Sequence, residues 1–179
     1  MSEITFKVCV FGEGGVGKTT LVNRYLTGIF EANTKMTLGL DFYVKQIELD
    51  DMRIILQIWD FGGEDKFKFL LPSYIKGANG GIFMYDITRY TSFKNMDVWL
   101  NTFKFDWDKN KEFPPILLVG GKIDLEDQRT VKKDEAIYSS KINQIAGFIE
   151  CSSKTGDNVK MVFVTLAKLM LQKYKITNK

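Results

Sequence analysis

The 179-residue chain contains no histidine. That excludes every mechanism built on an imidazole: Ser-His-Asp and Cys-His hydrolysis, His-ligated zinc and a histidine pH switch. Cysteine is scarce. Cys9 and Cys151 are the only two, both in apolar, strand-like surroundings. One disulfide is arithmetically open, but two buried thiols in a reduced cytosol is the reading adopted. An excess of charge is also lacking. The 25 basic and 22 acidic side chains leave +3, which by itself points to neither nucleic acid nor a charged membrane. No apolar run approaches the ~20 residues needed to cross a bilayer. The start, Met1-Ser2-Glu3-Ile4, has no signal-peptide pattern, and Ser2 stands where myristoylation needs glycine. Residues 173–179 hold no cysteine, so no lipid anchor is expected in the chain as given. What remains is 45% hydrophobic and 26% charged, enough for a sizeable core. One domain over residues 1–179 is expected.

Short apolar runs alternate with amphipathic stretches. Ile4 to Phe11 reads as a buried strand, with Ile4, Phe6, Val8 and Val10 on one face and Cys9 and Phe11 on the other. Lys18–Thr27 is a helical pattern stopped by Gly28. Phe42 to Leu49 and Met52 to Trp59 are strands joined at Asp50-Asp51, and so short a link makes them antiparallel. Gly81 to Ile87 and Ile116 to Gly121 suit central parallel strands. Helical stripes cover Ser92 to Asp106, Asp134 to Ala146 and Asn158 to Tyr174, with a last strand at Phe148 to Cys151. The alternation means an α/β domain with a mostly parallel sheet.

Gly12-Glu13-Gly14-Gly15-Val16-Gly17-Lys18-Thr19 fits G-x-x-x-x-G-K-[ST] between a strand and a helix. Glycines let successive N–H groups close around phosphate oxygens, and the helix adds its positive N-terminal dipole. Lys18 is placed to reach the β- and γ-phosphates, and the Thr19 hydroxyl to bind Mg²⁺. Three further motifs follow strand ends. In Asp60-Phe61-Gly62-Gly63, the carboxylate can hold Mg²⁺ through water and the Gly63 N–H can reach a γ-phosphate. In Gly121-Lys122-Ile123-Asp124, Asp124 can pair with guanine N1–H and N2–H₂, a pattern adenine does not offer, while the Lys122 stem lies along the base. In Cys151-Ser152-Ser153-Lys154, the Ser153 N–H can meet guanine O6. Each of these three also reads, alone, as an ordinary solvated turn.

Together, in this order and from about Thr5 to Leu171, the motifs resemble the Ras-like small GTPases, and among them the Rab family. The resemblance implies a P-loop NTPase G domain, a six-stranded, mostly parallel sheet with helices on both faces. Thr37 falls where the family's switch threonine ligates Mg²⁺, and Phe30 where an aromatic ring packs on the guanine. Implied nucleotide contacts are Gly14, Gly15, Val16, Gly17, Lys18, Thr19, Thr20, Phe30, Thr37, Gly63, Lys122, Asp124, Ser152, Ser153 and Lys154. The implied metal set is Thr19, Thr37 and Asp60, and the catalytic set Glu64, Lys18, Thr37 and Gly63. Phe42, Trp59 and Tyr74 match the aromatic triad that Rab proteins present to effectors. An exchange factor, a GTPase-activating protein and a monomeric state are implied too, with no nucleic acid. The implied location is cytoplasmic, with membrane association only through a partner or a missing tail.

The implied function is a switch that binds GTP or GDP with Mg²⁺ and hydrolyses GTP slowly, in membrane-traffic-type regulation. Three departures bear on it. Gly121 replaces the family's base-site Asn, which predicts weaker nucleotide retention than in a Gly121→Asn variant. Glu64 replaces the water-orienting Gln. Phe61-Gly62 replaces Thr-Ala, and the extra glycine is expected to loosen switch II while Phe61 anchors it. No arginine stands out as aimed at the phosphates; Arg24 and Arg53 read as structural. A guanine-nucleotide-binding scaffold with little hydrolysis, and a P-loop ATPase or nucleoside kinase, are the competing readings.

Overall fold

The computed structural model describes residues 2–104 and 112–177. The elements are β1 (Glu3–Phe11), α1 (Lys18–Thr27), β2 (Leu40–Leu49), β3 (Met52–Phe61), a 3₁₀ segment (Asp65–Leu70) running into α2 (Leu71–Tyr74), β4 (Gly80–Asp86), α3 (Tyr90–Lys94), α4 (Met96–Lys104), β5 (Ile116–Gly121), a second 3₁₀ segment (Ile123–Gln128), α5 (Lys133–Ile142), β6 (Gly147–Cys151) and α6 (Val159–Thr177). The sheet order is β2-β3-β1-β4-β5-β6. β2 alone runs antiparallel, because Asp50 and Asp51 turn it straight back on β3 with φ of 50° and 57°. Two left-handed residues make the tight hairpin turn whose twist suits the strands, and short polar aspartates accept that conformation.

The period-two pattern of β1 divides the core. Phe6, Val8 and Val10 pack with Leu21 and Val22 of α1 and with Val162, Phe163 and Leu166 of α6. Cys9 and Phe11 face the other layer, where Leu71, Phe93, Trp99, Leu100 and Phe103 bring in α2, α3 and α4 and Ala136 brings in α5. Phe11 stacks on Phe103 with ring centroids 4.8 Å apart. Both cysteines are free and fully buried. Burial pushes each thiol up to about 12.

Several boundaries differ from the sequence reading. The expected helix from Ser92 is two helices that break at Asn95, whose side chain turns away to donate to Glu13 Oε1 at 3.2 Å. Its expected end, 105–106, lies outside the described residues. α5 stops at Ile142 rather than 146, because Asn143 closes on Ser139 O and Gln144 is left-handed with φ 55°. In α6, Leu169 is only partly buried, whereas Leu171 is 1% exposed.

All the parallel strands end on one edge of the sheet. Their register sets Val10 beside Asp60 and lines up Asp86, Gly121 and Cys151 across β4, β5 and β6. Loops at the carboxyl ends of parallel strands are where α/β sheets bind ligands, so four separate sequence motifs meet at one edge.

Candidate functional site

At the end of β1 the chain turns through the glycine loop into α1. Gly17 caps the helix at φ 102°, a conformation that disfavours any side chain. Lys18 follows, 6% exposed, and its Nζ donates to Gly12 O and Glu13 O, both at 2.8 Å. Burial pulls its pKa down to about 8, with Arg89 also lowering it, against the attraction of Asp60 and Glu13. The ammonium is thus held at the loop with incomplete charge compensation. An anion in the loop supplies what is missing.

Next to it, the Thr19 hydroxyl donates to Asp60 Oδ2 and shares a 2.5 Å hydrogen bond with the Thr37 hydroxyl. Asp60 is fully buried, and its Oδ1 has no hydrogen-bond partner. Burial pushes its pKa up to about 6, against the Thr19 hydrogen bond and Lys18. Two hydroxyls and a half-satisfied carboxylate form an all-oxygen donor set of the kind Mg²⁺ takes, usually alongside phosphate oxygens. The chemistry of these donors fits the ion.

The switch segments close over this point. Thr37 is 8% exposed, and Thr34 bonds Thr20 at 3.1 Å. Gly63 lies directly on the backbone of Glu13 and Gly14, where a Cβ would collide. At Gly62 the two segments come into close contact. Its N–H donates to Gly39 O at 2.8 Å, and a Cβ there would stand 2.7 Å from Thr37 O. The missing side chain lets the two segments approach. Phe61 does anchor, at 2% exposure in the second core layer. Glu64 lines the same cavity and pairs with Lys66 at 2.7 Å.

The cavity has a volume of about 820 Å³. Of the expected nucleotide contacts, all except Ser152 line it, from Gly14–Thr20 through Phe30, Thr37 and Gly63 to Lys122, Asp124, Ser153 and Lys154. Ser152 sits behind. It is fully buried, donates from Oγ to Asp124 Oδ1 at 2.6 Å and accepts the Thr155 N–H at 3.1 Å. In this arrangement it holds Asp124 from behind the cavity. Lys122, left-handed at φ 68°, pairs with Asp86 at 2.7 Å and donates to Gly15 O at 3.1 Å, tying the Asp124 loop to the glycine loop. Arg129 fastens the same loop to β6 by pairing with Glu126 and, at 2.7 Å, with Glu150.

Two residues at the glycine loop were missed. Arg89 donates to Gly14 O, and one of its guanidinium nitrogens would be 3.7 Å from a Cβ on Gly15. An arginine therefore does sit at the glycine loop; its place before α3, just beyond Asp86 at the end of β4, was the available signal. Glu13 accepts from Trp99 Nε1 at 3.0 Å and Asn95, and pairs with Lys68 of the switch segment at 3.5 Å. Its position inside the glycine motif was the signal there. Arg24 and Arg53 are structural: Arg24 donates to Gly28 O and Thr155 O, and Arg53 pairs with Glu3. On the adjacent surface Phe42, Trp59 and Tyr74 come together, with centroids 5.1 and 5.8 Å apart in sequence.

Compared with known proteins, the chain matches the Ras family model over residues 7–172. It is 38% identical to the Ras-related protein Rab-18-B of Danio rerio, over 94% of this chain and 80% of that one. It is 36% identical to the Ypt/Rab-type GTPase ypt7 of Schizosaccharomyces pombe, over 93% and 82%. To the Ras-related protein Rab-1 of Theileria annulata it is 38% identical, over 96% and 76%. The chain belongs to the Ras family. It is a small GTPase of the Rab type, a GTP-binding and GTP-hydrolysing switch in the manner of the regulators of membrane traffic, and it uses Mg²⁺.

Proposed function

We propose that residues 1–179 form one G domain whose switching rests on the convergence of Thr19, Thr37 and Asp60 beneath the glycine loop. That convergence is the observation that carries the reading. Thr19 and Thr37 would hold Mg²⁺ there, with Asp60 orienting the two hydroxyls, and the ion would supply positive charge against the phosphates. Lys18 and the amides of Gly14, Gly15, Val16, Gly17 and Gly63 carry the phosphate charge. Thr20 and Lys154 contribute at the cavity rim, Phe30 packs against the base, and Asp124 with the Ser153 amide selects guanine. Arg89 holds the glycine loop from outside. Water is the nucleophile, and Glu64 accepts its hydrogen bond.

Thr37 and Gly63 are placed to hold their segments against a γ-phosphate, and Phe42, Trp59 and Tyr74 carry that state to an effector. Phe42 at 49% and Tyr74 at 39% exposure support this use. An exchange factor and a GTPase-activating protein complete the cycle. Among the described residues no helix is long and apolar enough to cross a membrane. In this reading membrane association runs through a partner or a missing tail.

Single-turnover phosphate release with Mg²⁺ tests the assignment. Glu64→Ala is expected to slow release roughly tenfold while GDP dissociation stays unchanged, since general-base help is worth at least that much. Equal hydrolysis rates would remove Glu64 from the mechanism.

A further inference from the structure

Glu13 belongs to the glycine motif, yet it is not among the residues that line the nucleotide cavity. Its carbonyl accepts from Lys18 Nζ at 2.8 Å. Its carboxylate is held by the helices instead. Oε1 accepts from Trp99 Nε1 at 3.0 Å and from Asn95 Nδ2 at 3.2 Å. Trp99 is 1% exposed, so this oxygen satisfies a buried indole N–H. The same oxygen pairs with Lys68 Nζ at 3.5 Å, and that ammonium stands 4.7 Å above the Trp99 ring. Lys68 also pairs with Asp65 at 2.7 Å, but the Asp65 side chain is 88% exposed, whereas those of Glu13 and Lys68 are each 20% exposed. The pair with Glu13 is the one shielded from water and salt. This placement brackets Glu64. One residue before it, Gly63 lies on the Glu13 backbone with no room for a Cβ. Four residues after it, Lys68 meets the Glu13 carboxylate. Between them the Phe67 N–H donates to Glu64 O at 2.9 Å and closes the turn. The chain leaves Glu13 at Gly63 and returns to it at Lys68.

We infer that Glu13 is a positioning residue for hydrolysis, one that clamps the switch segment on both sides of Glu64 and keeps that carboxylate at the cavity. The inference rests on the reading of Glu64 as the acceptor for the attacking water. Glu13 acts through Lys68 and Glu64 rather than on the nucleotide. Trp99 and Asn95 fix its carboxylate from the helical layer, so the clamp is aimed from packed structure and not from another loop. Its two functions are separable. Any residue at position 13 supplies the carbonyl that holds Lys18. Only a side chain with a negative charge holds Lys68.

The test is single-turnover phosphate release with Mg²⁺ for Glu13→Gln and Lys68→Met, each alone and combined with Glu64→Ala. Gln keeps the acceptor for Trp99 and loses the charge that holds Lys68. Each single variant is expected to release phosphate about three- to tenfold more slowly, as for the loss of one partly shielded ion pair. GDP dissociation is expected to stay unchanged, because the Lys18 acceptor is main chain. Lys68→Arg keeps a cation over Trp99 and is expected to hydrolyse within about twofold of wild type. Added to Glu64→Ala, neither Glu13→Gln nor Lys68→Met is expected to slow release further. A wild-type rate in Glu13→Gln overturns the inference, and so does faster GDP release from it. An equal further loss in the Glu64→Ala background overturns it too, since a field effect of the Glu13 charge on Lys18 or the phosphates would persist there. A Lys68→Arg protein as slow as Lys68→Met makes the contact steric and has the same force. Lys68→Met decides these points if Glu13→Gln fails to fold. Failure of the Glu64 reading itself looks different: Glu64→Ala alone then hydrolyses at the wild-type rate.

Discussion

At the scale of single residues, glycine does work in this site by taking no space. Gly62 is the clearest instance. Its φ is not left-handed, so backbone freedom does not explain it; the 2.7 Å from its would-be Cβ to Thr37 O does. Gly62→Ala is expected to push Thr37 off the Thr19–Asp60 cluster. Thr37 meets the ligand only when a γ-phosphate is there to hold it, so GTP suffers and GDP does not. Overpacking of this kind costs about 1–3 kcal/mol, which corresponds to about 5–150-fold in the GTP-to-GDP affinity ratio. Paired binding titrations read it, and an unchanged ratio refutes the steric account. Arg89 is the opposite case, a large exposed side chain with one polar task. Arg89→Ala is expected to leave thermal stability nearly unchanged and slow single-turnover hydrolysis about tenfold, through loss of a charged hydrogen bond to the Gly14 carbonyl. A normal rate would leave Arg89 a surface residue.

At the scale of elements, the base loop is held from behind. None of the residues of the 3₁₀ segment Ile123–Gln128 is buried, and Ile123 packs only partly against the second core layer. Arg129 fixes it by bridging Glu126 and Glu150, with its side chain 16% and that of Glu150 9% exposed. These partners hold the guanidinium above its usual pKa, so it stays charged at every ordinary pH. Arg129→Ala leaves the Glu150 carboxylate nearly buried and unpaired, and about 2–4 kcal/mol of stability should go with it. Discrimination of GTP over ATP should fall as Asp124 loses its support, whereas Mg²⁺ dependence should not change. Denaturant titration and nucleotide competition check the two halves separately. The loop also shows what could be read from sequence and what could not. Lys122, Asp124 and Ser153 were legible because their chemistry is local, a motif at the end of an apolar run. The role of Arg129 was not, nor was the way Ser152, itself legible from its motif, holds Asp124. Each depends on a neighbour 21 or 28 residues away along the chain, and the parallel register of β5 and β6 brings the partners together. Helix ends were misread for a related reason. Asn95 leaves its helix to bond Glu13, a tertiary contact that no periodicity encodes.

At the scale of the whole molecule, the site is assembled from the ends of five strands with two segments, carrying Thr37 and Gly63, laid across it. The structure keeps three strained ionic features there: Lys18 low in pKa from burial, Asp60 high, and Asp60 Oδ1 without a partner. Nucleotide and Mg²⁺ relieve all three together, so ligand binding and folding stability are linked. A ligand that binds only the folded state adds about 2.7 kcal/mol when present at a hundred times its Kd. For a chain of this size 1 kcal/mol moves the melting temperature by about 2–4 °C. Saturating GDP with Mg²⁺ is therefore expected to raise Tm by about 5–10 °C over the nucleotide-free protein. ATP at the same concentration should give little shift, because Asp124 finds no N1–H donor on adenine. Adding EDTA to the GDP complex should return much of the gain, because Thr19, Thr37 and Asp60 then lose the cation that joins them to the phosphates. A GDP shift indifferent to EDTA would mean that the oxygen cluster under the glycine loop is a structural hydrogen-bond network and that Mg²⁺ is not held there.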